Sequence, residues 1–122
     1  MRNVRKSGLA CAIIAALALY LPASTAQAGD VLGAHITSLQ VFGNSTSSPY
    51  LLLVLDQAGG NCQIPFVMSI NVGNNKGRAM LSLATAAYLS GKKVNVRGTG
   101  SCVTPDGFPY ATETFRYLEI YE

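Results

Sequence analysis

Residues whose chemistry could serve catalysis are few in this sequence and far apart along it. There is one histidine, His35, with three cysteines and six carboxylates. A catalytic thiol needs a base beside it, and nothing in the spacing brings His35 to a cysteine. The motifs of serine hydrolases, zinc peptidases, dithiol redox proteins and phosphate-binding loops are absent from the sequence. We therefore predict a protein that is not an enzyme and that carries no cofactor and no metal.

Carboxylates leave one enzymatic alternative open. Glycoside hydrolysis uses a pair of carboxyl groups. The candidates for such a pair are Asp56, Asp106, Glu113 and Glu119. We interpret these four residues as ordinary surface charges, which makes a small hydrolase the weakest of the functions considered.

The start of the chain has the organisation of an export signal. A basic beginning precedes the apolar run from Leu9 to Leu21, which is shorter than the roughly 20 residues that span a bilayer. Ala26-Gln27-Ala28 then provides a small-residue cleavage pattern. We predict a signal peptide over residues 1–28, a mature single domain over 29–122 and no membrane span. The mature protein is therefore expected in the periplasm or the medium.

The charge balance argues against one class of partner. Three of the nine Lys and Arg residues lie in the predicted signal, so the mature chain has six basic and six acidic residues. Proteins that bind nucleic acid through its phosphates need a basic surface. We therefore expect no nucleic-acid partner.

The cysteines predict a disulfide. Cys11 lies in the predicted signal, which leaves Cys62 and Cys102 in the mature chain. A lone pair of cysteines in an exported protein is expected to be oxidised. The bridge would close a loop of about 40 residues, and the chain-entropy model assigns it about 4 kcal/mol of stabilisation. The alternative is a pair of free thiols.

The mature chain alternates short apolar segments with turn signals, and its period changes once. Strands are predicted over residues 34–42, 50–55, 62–70, 93–97 and 114–121. Apolar residues at helical spacing predict a helix from about Asn75 to Ser90. Asn74 or Asn75 is suited to cap its start, and Gly91 is suited to end it.

This element order, β-β-β-α-β-β, is that of the OB-fold, a five-stranded Greek-key barrel. The continuous apolar run YLLLVL over residues 50–55 supports closure or further covering, because a strand with one wet face should alternate. The helix or a neighbouring subunit could cover its second face. We predict a mainly β fold with one helix, OB-fold-like, and the alternative is an open α+β sheet with the helix laid across it.

A binding site is suggested where polar side chains precede an aromatic ring, in the segment Asn44–Tyr50. Its hydroxyls and amide suit hydrogen bonds to sugar hydroxyls, and the Tyr50 ring suits stacking on a sugar's apolar face. The alternative is a Ser-rich hairpin loop without a ligand. A second cluster, Phe115, Tyr117 and Tyr121, is expected on one face of the last strand, for packing or as a ligand platform.

Three segments resemble a known family. Residues 36–41 and Thr46-Ser47-Ser48-Pro49-Tyr50 resemble the first strand and the Thr-Ser-Pro-Tyr-like motif of the receptor-binding B subunits of subtilase cytotoxin and typhoid toxin. Residues 79–96 resemble the helix of those subunits and the strand after it. The resemblance implies an OB-fold, a ring of five subunits and binding of sialylated glycans. Ser48 matches the family's sugar-contacting serine, whereas Ser47 stands where the family has Thr.

Together these observations predict an exported, non-catalytic domain that recognises a glycan or cell-surface glycoprotein of sialoside type. Ser48 and Tyr50 are the expected ligand-binding residues, with Ser47 and Asn44 contributing hydrogen bonds. The expected protein partners are further copies of the chain in a homo-oligomer, a pentamer by the resemblance, and a toxin A subunit if the chain belongs to a toxin. The alternative is a structural or protein-interaction module of the cell envelope with an unknown partner.

Overall fold

A computed structural model describes residues 27–44 and 47–121 of the chain. Most of the predicted signal peptide and two residues of the predicted binding segment, Ser45 and Thr46, lie outside the described residues. The described strands are β1 (Asp30–Ala34), β2 (Ile36–Phe42), β3 (Tyr50–Leu55), β4 (Val67–Asn71), β5 (Lys93–Val103) and β6 (Thr112–Tyr121). One helix, α1 (Asn75–Ser90), follows β4 and precedes β5.

The six strands form a single sheet in the order β1-β5-β6-β4-β3-β2. Neighbouring strands are antiparallel except β4 and β6, which are parallel. The prediction of a mainly β fold with one helix is confirmed. The hydrogen-bonded sheet is open, however, with β1 at one edge and β2 at the other, so it is not a closed barrel.

The two edge strands are consecutive in the chain, and only His35 stands between them. The extra strand relative to the five predicted is β1, because the predicted strand 34–42 corresponds to β2 and reaches back only to Ala34, the last residue of β1. At His35 the chain leaves β1, which pairs with β5, and enters β2, which pairs with β3. His35 is thus the point at which the chain changes from one edge of the sheet to the other.

Helix α1 has the predicted boundaries. Oδ1 of Asn74 accepts a hydrogen bond from the backbone N–H of Gly77 at 2.8 Å, which satisfies a donor that the first turn leaves free. Gly91 ends the helix in the left-handed region, with φ 66°, where glycine has no steric penalty. The helix packs against β2 and β6 and buries Ala84 and Ala87.

Strand β3 is buried on both faces by the single chain. Leu51, Leu53 and Leu55 lie in the main core, which also contains residues of β1, β2, β4, β5, β6 and α1. Leu52 faces the other way and still has 0% exposure. A second subunit is therefore not needed to cover this strand, so its apolar sequence gives no argument for self-association.

Strand β4 begins at Val67 and not at Cys62 as predicted. The carbonyl oxygen of Pro65 accepts hydrogen bonds from the backbone N–H groups of Gly59 and Gly60, each at 3.0 Å. Pro65 itself has no N–H to give to a ladder. The residues from Cys62 to Pro65 therefore turn back on the preceding loop, and contact with β3 begins at Phe66, whose carbonyl oxygen accepts a hydrogen bond from the backbone N–H of Leu55 at 2.9 Å.

Strand β6 contains an irregularity that the alternation of its sequence does not predict. Arg97 pairs with Tyr117 and Gly98 pairs with Phe115, so Arg116 is an extra residue in the ladder. As a result Phe115 turns into the core with 2% exposure, whereas Tyr117 is 41% exposed. The prediction that Phe115, Tyr117 and Tyr121 all lie on one face of the strand is therefore wrong.

The predicted disulfide is present. Cys62 and Cys102 are bonded, with their Cα atoms 5.8 Å apart, which is within the usual range. The bridge ties the loop before β4 to strand β5. In the described part of the chain, the helix is too short and too polar to cross a bilayer.

Candidate functional site

The predicted binding segment meets the connection between β5 and β6. We call residues 43–49, which join β2 to β3, the first loop, and residues 104–111, which join β5 to β6, the second loop. Nδ2 of Asn44 in the first loop donates a hydrogen bond to Oδ2 of Asp106 in the second at 3.1 Å. The candidate site is the surface that these two loops form together.

Asn44 also fixes the shape of the first loop. Its Oδ1 accepts a hydrogen bond from the backbone N–H of Ser47 at 2.8 Å, and Oγ of Ser47 accepts one from the backbone N–H of Asn44 at 3.2 Å. Such reciprocal bonds close a turn in the way that a capping box closes the start of a helix. Because the oxygen and the nitrogen of the Asn44 amide are both engaged, Asn44 is a positioning residue for both loops. Its direct contact with a ligand stays a prediction.

Ser48 is exposed, and the residue after it, Pro49, is held in place by a backbone hydrogen bond. The carbonyl oxygen of Pro49 accepts a hydrogen bond from the backbone N–H of Val72 at 2.9 Å. A Cβ placed on Gly73 would lie 3.6 Å from Oγ of Ser48, so the hydroxyl stands next to the turn before α1. No described residue forms a hydrogen bond with this hydroxyl. Ser48 therefore presents a donor and an acceptor to the solvent.

Aromatic rings line the site. The rings of Phe42 and Phe108 are 5.4 Å apart and those of Phe108 and Tyr110 are 6.0 Å apart, both edge to face. Tyr110 is exposed, and Tyr50 is half-buried. Tyr50 pairs with Phe42 across β2 and β3, so the two side chains share a face of the sheet. The structure therefore brings the predicted Tyr50 to the same face as the rings that reach the second loop.

Asp106 carries the charge of the site, because no other residue of either loop is ionisable as an acid or base at neutral pH. It is exposed and accepts the hydrogen bond from Asn44. A carboxylate has about four acceptor positions, so lone pairs remain for the hydroxyl donors of a ligand. Its negative charge opposes a ligand anion in contact with it.

A concave surface lies near His35, at the opposite end of β2 from the first loop. It is an open cleft of about 430 Å³ lined by His35, Gly91, Lys92, Lys93 and Tyr121. Of its lining residues, only Tyr121 belongs to a cluster that the sequence singled out, the one expected for packing or as a ligand platform. It is wide open and combines the C-terminal end of α1 with the strand ends of β5 and β6.

His35 and Asp56 interact where β1 gives way to β2. Oδ1 of Asp56 accepts a hydrogen bond from the backbone N–H of His35 at 2.9 Å, and Oδ2 lies 3.2 Å from Nδ1 of the His35 ring. The backbone hydrogen bond from His35 is the main cause that lowers the pKa of Asp56 below its ordinary value. Desolvation opposes this shift, and the contact with the His35 ring adds to it. Both side chains are substantially exposed. They form a local clamp at the junction of the two edge strands.

The four carboxylates considered for catalysis have separate environments. Asp56 contacts His35, Asp106 accepts from Asn44, and Glu119 accepts from Nδ2 of Asn95 at 3.1 Å. Glu113 is completely buried and accepts only from backbone N–H groups, so its interpretation as a surface charge is wrong. Within the described residues no two of these four carboxylates share a hydrogen-bonding partner.

The second loop was not predicted from the sequence. Asp106, Phe108 and Tyr110 stand in the segment Asp-Gly-Phe-Pro-Tyr, whose mixture of polar, turn-forming and aromatic residues resembles the composition of the first loop. That composition could have marked a second candidate segment. Its meeting with the first loop depends on the pairing of β5 with β6 and of β2 with β3, which the sequence pattern does not fix.

No protein-family model and no curated protein matches this chain. The resemblance to the B subunits of subtilase cytotoxin and typhoid toxin therefore stays a prediction.

Proposed function

We propose that this chain is an exported, non-catalytic glycan-binding domain whose binding site is the surface of the first and second loops. The observation that carries the proposal is the hydrogen bond from Asn44 to Asp106, which unites the two loops. Ser48 supplies a free hydroxyl and Asp106 supplies acceptor oxygens. Tyr50 and Tyr110 supply aromatic surface for the apolar face of a sugar ring.

We also propose that the architecture is OB-fold-like. β1 and β2 can be counted as one interrupted first strand. The order across the sheet is then the first strand, β5, β6, β4, β3 and the first strand again. The same first strand then stands at both edges, as a partly open Greek-key barrel requires. In that fold the loop between the first two strands and the loop between the last two bind oligosaccharides. The first and second loops of this chain occupy those two positions, which supports the choice of site.

The class of sugar is a separate part of the proposal. Sialoside recognition is implied by the resemblance to the toxin B subunits, through Ser48. Asp106 would repel the carboxylate of a sialic acid in direct contact with it. A sialoside therefore has to present its carboxylate to the Ser48 side of the site, and its hydroxyls to Asp106.

Assembly would determine the useful strength of binding. Each direct hydrogen bond to a sugar replaces one with water and contributes only about 0.5–1.5 kcal/mol. A homo-oligomer, such as the pentamer that the resemblance implies, would add avidity by presenting several sites together. A toxin A subunit is a proposed partner only in that setting. Light scattering coupled to size exclusion tests the assembly, and a monomer at tens of micromolar would contradict it.

The alternative function is a protein-interaction module of the cell envelope. It is favoured by exposed apolar side chains outside the two loops, among them Leu32 on β1 and Leu89 at the end of α1. Large exposed apolar groups are common at protein interfaces when they form a patch. This function predicts a protein ligand that does not depend on Ser48 or Asp106.

A broad glycan array tests the proposed function. The mature protein should be biotinylated and displayed on streptavidin, so that several copies act together even if the free protein is a monomer. The array should include neutral and sialylated glycans with matched cores. We expect a defined set of glycans to be bound. Binding of none, by multivalent protein that is folded and oxidised, would contradict the proposal.

A further inference from the structure

Glu113 is a completely buried carboxylate on β6. Its Oε2 accepts hydrogen bonds from the backbone N–H groups of Gly29 at 2.8 Å and Gly100 at 3.3 Å. Its Oε1 accepts one from the backbone N–H of Asn61 at 2.8 Å. The carboxylate thus connects the start of the described chain, the loop before β4 and strand β5.

The surrounding backbone is shaped to fit this carboxylate and Gly29. A Cβ on Gly98 would lie 1.5 Å from Oε2 of Glu113, so only glycine fits there. The carbonyl oxygen of Gly29 accepts a hydrogen bond from the backbone N–H of Gly98 at 2.7 Å. Gly29 is itself buried, and a Cβ on it would lie 2.1 Å from the carbonyl oxygen of Gly59. Gly29 is therefore held at both its nitrogen and its oxygen.

The charge of Glu113 has no cationic partner in the described part of the chain, where no Lys, Arg or His forms an ion pair with it. Asp30, the residue that follows Gly29 in the sequence, is exposed and acidic. A buried charge is costly unless an opposite charge compensates it. The nitrogen of Gly29, which already touches Oε2, is the group that predicted export processing would change.

We propose that Glu113 is the binding site for the amino terminus that signal-peptide cleavage creates at Gly29. Hydrolysis of the Ala28–Gly29 bond consumes one water, leaves a carboxylate on Ala28, and leaves on Gly29 an amine that takes up a proton. The neutral N–H donor to Glu113 is then replaced by an ammonium at the same position. The mature fold gains a buried ion pair that the uncleaved chain does not have.

The buried position of Gly29 requires that cleavage come before folding. Gly29 is buried in the folded domain, so a peptidase can reach the bond before it only while the chain is unfolded, as it is during export. Folding then places the new ammonium against Glu113. This inference rests on the predicted export signal and not on the glycan site, so its failure and that of the proposed function are distinguishable.

The first test is the mass of the product when the full chain is exported by a bacterial host. We expect a chain that begins at Gly29. The second test compares the thermal unfolding of two purified chains, residues 29–122 and residues 27–122. The longer chain is a close control. In the described structure Gln27 and Ala28 precede Gly29, and the backbone N–H of Gly29 still donates a hydrogen bond to Glu113. It even retains the bond from Asn61 to the carbonyl of Gln27.

We expect the chain that begins at Gly29 to unfold at a midpoint at least about 5 °C higher than the longer chain. In E113Q backgrounds of both chains the difference should fall below about 2 °C, since the ammonium then has no carboxylate to bind. If the E113Q chains do not fold, the titration of ¹³C-labelled Gly29 in the wild type decides. Its ammonium should titrate above the ordinary range of about 7.7–8.0 for an amino terminus. Equal unfolding midpoints, a difference that persists in E113Q, an ordinary titration midpoint or a product that begins elsewhere would overturn the proposal.

Discussion

Asn44 and Asp106, 62 residues apart in the sequence, are joined by a hydrogen bond of 3.1 Å between the amide nitrogen of one and the carboxylate of the other. The bond connects the loop between β2 and β3 to the loop between β5 and β6. Because the same Asn44 amide also accepts from the backbone of Ser47, one side chain determines both the shape of its own loop and the position of the second. Asn44 is therefore a positioning residue of the proposed binding site.

Exchanging the two polar groups of this pair tests that dependence. N44D should place two carboxylates against each other, separate the loops and lower glycan affinity at least tenfold. D106N alone should be milder, because an amide oxygen can still accept from Asn44. The double variant N44D/D106N should bind more tightly than N44D, since donor and acceptor are then exchanged and the loops meet again, although the ligand loses acceptor positions at residue 106. Binding is measured by titrating immobilised glycan, and a double variant as weak as N44D would show that the bond does not position the site.

The disulfide should contribute measurably to stability. Removing it in C62S/C102S should lower the free energy of unfolding by about 2–5 kcal/mol, because the unfolded chain regains the freedom that the bridge removes. Urea denaturation measures this loss. Intact mass after alkylation, with and without reduction, provides the control, since two alkylated thiols in unreduced, natively exported protein would contradict the bridge.

The irregularity in β6 predicts different costs for two aromatic substitutions. F115A should lower the free energy of unfolding by about 3–5 kcal/mol, because it leaves a cavity in the core. Y117A removes an exposed ring. Among the ring contacts of the described residues, the one that involves Tyr117 is with the guanidinium of Arg97, 5.5 Å from the centroid of the Tyr117 ring. Its cost should be about 1 kcal/mol or less. Equal costs in urea denaturation would mean that the two rings share one environment.

The sequence predicted the elements whose signals are local. The helix from Asn75 to Ser90 has its cap, its period and its terminal glycine within a short stretch, and all three are realised. Strand β3 is likewise bounded by Pro49 and Asp56, and the disulfide followed from counting the cysteines of the mature chain.

The remaining features depend on contacts between distant segments. The extra residue Arg116 in β6 is set by how that strand pairs with β5, so alternation alone assigned Phe115 to the wrong face. β1 and β2 are separated at His35 because β1 pairs with β5 whereas β2 pairs with β3. The contribution of Asp106, Phe108 and Tyr110 to the site depends on the same long-range pairing. None of these has a signal in the spacing of nearby residues.

The pair His35–Asp56 predicts a response to acid. Because the folded state lowers the pKa of Asp56 below its ordinary value of 3.8, the ionised carboxylate contributes stability above that value. The contribution is lost as the pH falls from about 4 through the lowered pKa. Unfolding followed in urea from pH 7 to pH 2 should show a smaller acid loss in D56N than in the wild type. D30N is the control, since Asp30 is also exposed and its side chain makes no hydrogen bond with the described residues, and it should follow the wild type.

The glycan affinity of S48A tests the central claim most directly. The array identifies a bound glycan, and its affinity is then measured by surface titration for the wild type, S48A and the control S101A, which removes an exposed serine hydroxyl on β5. We predict that S48A weakens binding about tenfold per site, because a sugar group loses its partner at a cost of about 1–3 kcal/mol. S101A should bind as the wild type does, and all three should unfold at the same temperature within about 2 °C. Wild-type affinity in S48A, or a loss of affinity that only accompanies a lowered unfolding temperature, would contradict the assignment of the site.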